Sequence, residues 1–528
     1  MANKNILLIE PGYKNKYPPL GLMKIAAYHG PYGKRDHVTF IKGETDRSVL
    51  NKNWDRIYVT TLFTFEWIAI SRAIDFALEI ANGNANKIFV GGIAASLMQD
   101  QFIVESRWRG IRFISGLLSD APAKALQLDD FDEELYSDDI NGIPIEDLVP
   151  DYDILGQIKN QYVYPVNDAY FAYASRGCVR KCDFCGVPKL EGDQRDAQSI
   201  TGLVKSIEQR YGPKKDLMLM DNNVVASPNY KNIIAEIRDL GFGSGAKLSR
   251  NGKSAVQRRV DFNQGVDARI LAKDKMYLEE MSTICIKPLR IAFDHLGVRK
   301  PYEKAIRMAH EVGLTELSNY MLYNYHDTPT DLYQRMRLNI DLNKELGIRI
   351  FSFPMRYHPI DMKDRSHRGE NWTRYHLRSM QIILQATHGI VSGSQDFFKE
   401  AFGESPEAYE ELLLYPQHFL FNRRWYKEFD GRAELDEFKN SLSKLSGEER
   451  RELASLLSAS TPSAYADLIG RAVNSNVNCI LPFYLPLPDG DERKIWESMK
   501  FKKRAALSED IIVPDDERVE DAGLTENI

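Results

Sequence analysis

The chain has 528 residues, of which 43% are hydrophobic and 27% charged, and its formal net charge is −6. That length predicts two or three domains rather than one. The composition suits a globular chain and excludes a disordered or membrane-embedded one. There is no run of about 18 apolar residues, and Met-Ala-Asn-Lys-Asn leads straight into a strand-like segment, so neither a membrane span nor a signal peptide is expected. Mild acidity argues against a general polyanion binder. Five cysteines without a paired framework predict a cytoplasmic location.

The first 150 residues alternate short apolar runs (5–10, 37–41, 56–60, 87–91 and 111–114) with helical stretches at 20–28 and 66–80. Continuously apolar strands between amphipathic helices imply a parallel, Rossmann-like sheet covered on both faces. Functional loops of such sheets lie at the strand C-termini, which here read Pro11-Gly12, Thr60-Thr61 and Gly91-Gly92. An acidic connector over 129–153 is expected to close this domain, because like charges keep such a segment solvated.

Residues 169–175 (Ala-Tyr-Phe-Ala-Tyr-Ala-Ser) have strand length and composition. They run into Arg176-Gly-Cys-Val-Arg-Lys-Cys-Asp-Phe-Cys-Gly186, where Cys178, Cys182 and Cys185 stand in Cys-x3-Cys-x2-Cys spacing. Three thiolates on one short loop can ligate three irons of a [4Fe–4S] cluster and leave the fourth iron open to a chelating molecule. The alternative, a zinc knuckle, would want a fourth Cys or His nearby. None lies between Phe171 and Pro213, and Cys285 and Cys479 each stand alone.

A second βα series follows. Residues 216–220 read as a strand with Asp221, Asn222 and Asn223 at its C-terminal edge, and a helix is expected from about Tyr230. Asp-Asn-Asn by itself is an ordinary turn and helix cap. Residues 260–269 alternate like a strand yet carry Asn263, Gln264, Asp267 and Arg269. Buried polar groups need partners, which a ribose or carboxylate could supply to Gln264 and Arg269, or a salt bridge to Asp267. Further strands are expected at 290–294, 317–325 and 348–357, with a helix start at Thr328-Pro329-Thr330-Asp331. The glycine-rich, basic insertion 241–259 reads as a solvated loop, a flap over the site or a contact for an anionic substrate.

Beyond residue 366 the pattern turns helical, at 372–387 and 447–457. Residues 414–427 interleave aromatics with bases, which describes a domain seam or a surface that stacks on nucleobases. Residues 508–528 hold eight acids against Arg518 and read as a loose acidic tail.

The strand, the cysteine loop and its Phe184 resemble the radical SAM superfamily, over about residues 164–359. The resemblance implies a partial (β/α)6 barrel at 160–365, between a 1–150 domain and a helical 366–507 domain. It implies that S-adenosylmethionine chelates the open iron and is reductively cleaved to a 5′-deoxyadenosyl radical. An external electron donor such as flavodoxin or ferredoxin would feed the cluster. Phe184 would lie along the adenine, Asp221, Asn222 and Asn223 near the amino group, and Asp294 near the ribose. Pro18-Pro-Leu-Gly-Leu22 and Val90-Gly-Gly-Ile-Ala-Ala95 resemble the cobalamin-binding-like domain that precedes many such cores. The family's Asp-x-His-x-x-Gly signature is absent, which leaves both a cobalamin-dependent methyltransferase and a cobalamin-free enzyme open. A methylthiotransferase is disfavoured, since the first 177 residues hold no cysteine for a second cluster. From another class, a non-catalytic binding module with a vestigial cluster loop would carry the same motif. The substrate has no readable code.

Overall fold

In the computed structural model the described residues are 3–118, 144–250 and 254–488, with 490 and 495 beyond them. Most of the acidic connector and the whole acidic tail lie outside these residues.

The N-terminal strands β1 (Asn5–Glu10), β2 (His37–Lys42), β3 (Arg56–Thr61), β4 (Ile88–Gly92) and β5 (Arg112–Phe113) form one parallel sheet in the order β2-β1-β3-β4-β5. Leu7, Ile9, Ile57 and Val59 pack under the helix Trp67–Ile80 on one face. Ile6, Leu8, Tyr58 and Phe89 meet the helix Leu20–His29 on the other. That second face shares a single apolar core with the following domain, through Leu148, Tyr152 and Phe171.

The expected strand at 169–175 divides. β6 (Ala169–Ala172) enters the sheet, while β7 (Ser175–Arg176) turns away and pairs antiparallel with β8 (Arg195–Asp196). β9 (Asp216–Leu219) then lies between β6 and β12 (Arg259–Phe262), all parallel. β13 (Leu289–Arg290), β14 (Glu316–Tyr323) and β15 (Arg349–Arg356) form the second half. Parallel bridges Val260–Ile286 and Val266–Ile291 join the halves. The result is six parallel strands in sequential order, with helices outside and loops at their C-terminal edge. The fold is mixed α/β.

Two expectations fail here. The strand expected over 260–269 stops at Phe262, because Gly265 takes φ +80° and Asp267 caps a new helix, Ala268–Leu271. Arg269 is therefore a helical residue, not a strand residue. The basic insertion forms a small hairpin, β10 (Lys247–Leu248) with β11 (Val256–Gln257). Arg250 grips Asp168 at 2.8 Å and Arg258 donates to the Lys214 carbonyl at 3.1 Å. Both contacts lie where β6 and β9 begin, one strand length from the cysteine loop, so the insertion is no flap over the site.

Inside the barrel Asp261 and Arg290 form a buried two-point ion pair, 2.8 Å at each end. Above it Tyr17, from the loop after β1, donates its hydroxyl to Asn263 Oδ1 at 2.5 Å and meets Phe171 edge-on. A residue of the N-terminal domain thus occupies the barrel's interior.

Thr328 caps the helix Pro329–Leu346 in a reciprocal box with Asp331, and Pro329 opens it, as expected. In the C-terminal region Phe419 and Tyr426 are buried among Phe438, Leu453 and Tyr484. The Arg423 guanidinium is bound to the carbonyls of Glu400 and Ala401. Phe419 and Tyr426 are thus packed as in a domain seam and not free to stack on nucleobases, while Phe421 of the same run is 57% exposed. No helix among the described residues is long and apolar enough to cross a membrane.

Candidate functional site

The site is built around the loop that leaves β7. Gly177 (φ +71°) makes the turn into it, and a Cβ there would collide with the Asp193 carbonyl. Cys178 N–H donates to the Gly192 carbonyl at 3.3 Å, and Cys185 N–H to the Cys182 carbonyl at 3.0 Å. Arg180 N–H points to Cys178 Sγ at 3.3 Å. All three thiols are half-buried. Burial pushes the Cys182 and Cys185 thiols up, and neighbouring cysteines and Asp294 add to this. Such crowding of would-be anions is relieved when a cation binds and the thiols ionise.

Among the described residues no group of three or more His, Cys, Asp or Glu side chains is arranged to hold one metal ion. A [4Fe–4S] cluster asks for a different arrangement, since each thiolate takes its own iron. The donor set fits: three cysteines of one loop, at the C-terminal edge of a parallel barrel, with no fourth cysteine beside them among the described residues.

The remaining predicted residues fall into three groups. Asp221, Asn222 and Asn223 each make bonds within the protein. The Asp221 carboxylate accepts from Ala174 N–H at 3.0 Å, Ser175 N–H at 2.5 Å and Ser175 Oγ at 2.7 Å. Burial pushes it up to about 6 against these bonds. Asn222 donates to Glu191 at 3.0 Å, and Asn223 accepts from Asp267 N–H at 3.3 Å. These bonds clamp β9 and the Asp267 turn against the chain that leads into the cysteine loop.

Phe184, Arg269 and Asp294 converge on the cysteines. Phe184 meets Tyr325 edge-on at 5.7 Å. Arg269 is half-exposed and bonded to Asp267 at 2.8 Å, and Arg180 of the cysteine loop takes the other oxygen of Asp267 at 2.6 Å. The salt bridge to Asp267, the plainer of the two sequence readings, is present. Burial pushes Asp294 up to about 6, with Arg335 and Arg269 opposing it. Gln264 is exposed, two residues beyond the end of β12.

Sequence reasoning missed several residues. The Arg335 guanidinium is fully buried and donates to the carbonyls of Phe293, Asp294 and Leu322 at 3.1, 2.8 and 2.8 Å, and to Asp327 at 2.7 Å. It fixes the chain that presents Asp294. Tyr325 and Tyr357, 4.7 Å apart, carry the aromatic surface on from Phe184. Their places at the ends of β14 and β15 were a usable signal; a helical arginine was not.

Behind the loop a cleft of about 230 Å³ opens over the C-terminal edge of β3 and β4. Its floor is apolar, with Leu22, Val59, Phe89 and Ile93, and its far wall carries Lys24, Glu146, Arg176 and Glu191. The cysteine loop's exit packs onto the same domain, since a Cβ on Gly186 would stand 3.1 Å from Leu97.

No family model matches the chain, and no curated protein does. Among solved structures it is similar to the radical S-adenosylmethionine methyltransferase TsrM from Kitasatospora setae, bound to tryptophan substrate and a SAM analogue. That likeness has 13% identity, 68% of this chain, 76% of the other and a TM-score of 0.47. It is also similar to apo OxsB, a cobalamin-dependent S-adenosylmethionine radical enzyme, at 13% identity, 98% and 82% coverage and a TM-score of 0.47. A third likeness, with TM-score 0.30, 12% identity and coverage of 47% and 53%, is to Streptococcus suis SuiB bound to the precursor peptide SuiA.

Proposed function

We propose that the chain is a radical SAM enzyme in which Cys178, Cys182 and Cys185 hold a [4Fe–4S] cluster. The observation that carries this reading is the placement of the three thiols, on one loop at the C-terminal edge of six sequential parallel strands, beside Arg269, Asp294 and Phe184. When bound, the cluster supplies the electron that cleaves S-adenosylmethionine reductively to methionine and a 5′-deoxyadenosyl radical, drawn from an external donor of the flavodoxin or ferredoxin kind. The chain's own residues bind and orient. Phe184 and Tyr325 offer an aromatic surface to the adenine. Arg269, oriented by Asp267, offers its remaining donors to the S-adenosylmethionine carboxylate. Asp294, held by Arg335 through its backbone carbonyl, would accept from the ribose hydroxyls. Asp221 holds the chain that leads into the loop, and Asn222, Asn223 and the exposed Gln264 keep further donors and acceptors for the S-adenosylmethionine amino group and ribose.

Anaerobic reconstitution with iron and sulfide, then S-adenosylmethionine and dithionite, tests the reading. The expected product is 5′-deoxyadenosine, lost when Cys182 is replaced by Ala. A chain that takes up no iron would overturn it and return the vestigial or zinc reading, and a Cys182→Ala variant that still cleaves would overturn the assignment of these cysteines to the cluster.

The cleft favours a second reading. It is an apolar slot at the exit edge of β3 and β4, directly behind the cysteine loop, and at about 230 Å³ it could admit only an edge of a corrin unless the cleft widens. Among the described residues no histidine lines it, so the cleft's described side chains would hold a cobalamin by apolar contact with Leu22, Val59, Phe89 and Ile93 and not through an imidazole. In this version the enzyme methylates a carbon, and corrinoid is retained after desalting. Failure to retain it leaves the cobalamin-free enzyme.

A further inference from the structure

The wall between the cleft and the cysteine loop is one hydrogen-bonded unit. Arg176 is its centre, two residues before Cys178. Its guanidinium stacks on the Tyr173 ring at 3.4 Å and reaches two carboxylates, Glu146 and, at 3.1 Å, Glu191 Oε1. The other oxygen of Glu191 accepts from Gly177 N–H at 2.8 Å and from Asn222 Nδ2 at 3.0 Å. On the cleft side, Lys24 from the helix Leu20–His29 pairs with Glu146 at 3.1 Å. The charges balance: Lys24 and Arg176 against Glu146 and Glu191. All four side chains are at most 15% exposed, and all four line the cleft.

A planar guanidinium can reach two carboxylates in a fixed fork while lying flat on a ring, a geometry that a compact ammonium does not reproduce. The unit therefore runs without a break from a helix of the N-terminal domain to the amide of Gly177. That amide precedes Cys178, at a turn already pressed against Asp193.

We propose that Arg176 is a positioning residue that couples the cleft to the cysteine loop, so that what lies against Lys24 and Glu146 sets the geometry at Cys178. The functional meaning of this coupling rests on the cluster reading above. Because coupling is reciprocal, filling the cleft would alter how the loop presents its thiols, and loading the loop would alter affinity in the cleft.

The test uses the full chain without cluster, kept anaerobic and reduced, and measures the alkylation rate of each cysteine by mass spectrometry. Exposed Cys479 is the internal reference, and buried Cys285 reports on the integrity of the barrel. Arg176→Met is expected to raise the Cys178 rate relative to Cys479 by about tenfold, the factor that a lost charge-assisted hydrogen bond carries. Arg176→Lys restores the rate in part. Lys24→Met, on the other domain, moves Cys178 in the same direction, and Cys285 stays protected throughout.

An unchanged Cys178 in Arg176→Met overturns the positioning role, and an unchanged Cys178 in Lys24→Met overturns the coupling. Should Arg176→Met also open Cys285, Glu191→Gln decides. It keeps shape and apolar contacts, and must accelerate Cys178 alone or the proposal falls. Reconstitution of the wild type, run in parallel, reports separately on the cluster reading.

Discussion

Arg335 and Asp327 offer the sharpest test of how the site is held. The guanidinium has 0% side-chain exposure and its carboxylate partner 8%, at 2.7 Å. Asp327→Ala leaves a buried cation short of its counter-charge and also frees Tyr325 N–H, while the Trp372 indole keeps its 3.0 Å bond to the residue 327 carbonyl. Removing one partner of a buried pair costs roughly 3–5 kcal/mol, because the survivor stays buried and uncompensated. Three carbonyls still face Arg335, so the lower end, about 3 kcal/mol, is expected. For a domain of this size that is about 6–12 °C in melting temperature.

Calorimetry of wild type, Asp327→Ala, Arg335→Met and the double variant would measure it. Once Arg335 is Met, the second change should add little, because no charge remains to be stranded. A shift under about 2 °C for Asp327→Ala, or strictly additive effects, would show that the pair is not a buried, mutually dependent one. Either would mean that solvent reaches Arg335.

Three other outcomes are expected. Cys182→Ser keeps the fold but lowers bound iron and removes the cluster's visible absorbance, measured by iron assay and spectrum after reconstitution. Gly177→Ala strains a left-handed turn and meets Asp193, at a cost of about 1–3 kcal/mol, and should lower cluster uptake without changing the far-ultraviolet spectrum. Asp221 is raised from 3.8 to about 6, so its contribution is full below pH 4 and is lost as pH rises through 6; across that window wild type should lose about 3 kcal/mol relative to Asp221→Asn. A difference in melting temperature that holds constant or grows from pH 4 to 7 would contradict the assignment of burial as the cause.

What could be read from the sequence was what is local in the chain. The cysteine spacing, the apolar strands and the Thr328–Asp331 cap each lie within a dozen residues, and each is found where periodicity and capping chemistry put it. Long-range pairing was not legible. Asp221, Asn222 and Asn223 have the composition of a ligand-binding edge, yet their partners are Ser175, Glu191 and Asp267, which no local pattern announces. Arg269 was misplaced because alternation continued through Gly265, where the backbone turns to φ +80°. The basic insertion read as a solvated loop or as a flap, and the choice was not legible because a sequence does not state which end of a barrel a loop occupies; Asp168 decides that.

Tyr17 bears on how far this architecture can be cut and rejoined. Its ring and hydroxyl fill the barrel from outside the barrel's own sequence, beside Asn263 and Phe171. A fragment beginning near residue 160 would open that space to water and wet the Asp261–Arg290 pair. A chimera that grafts a foreign N-terminal half would need an aromatic stopper of the same reach. The two halves are thus bound to change together, and recombination between distant relatives at the connector should yield insoluble products more often than truncation of the C-terminal helices does.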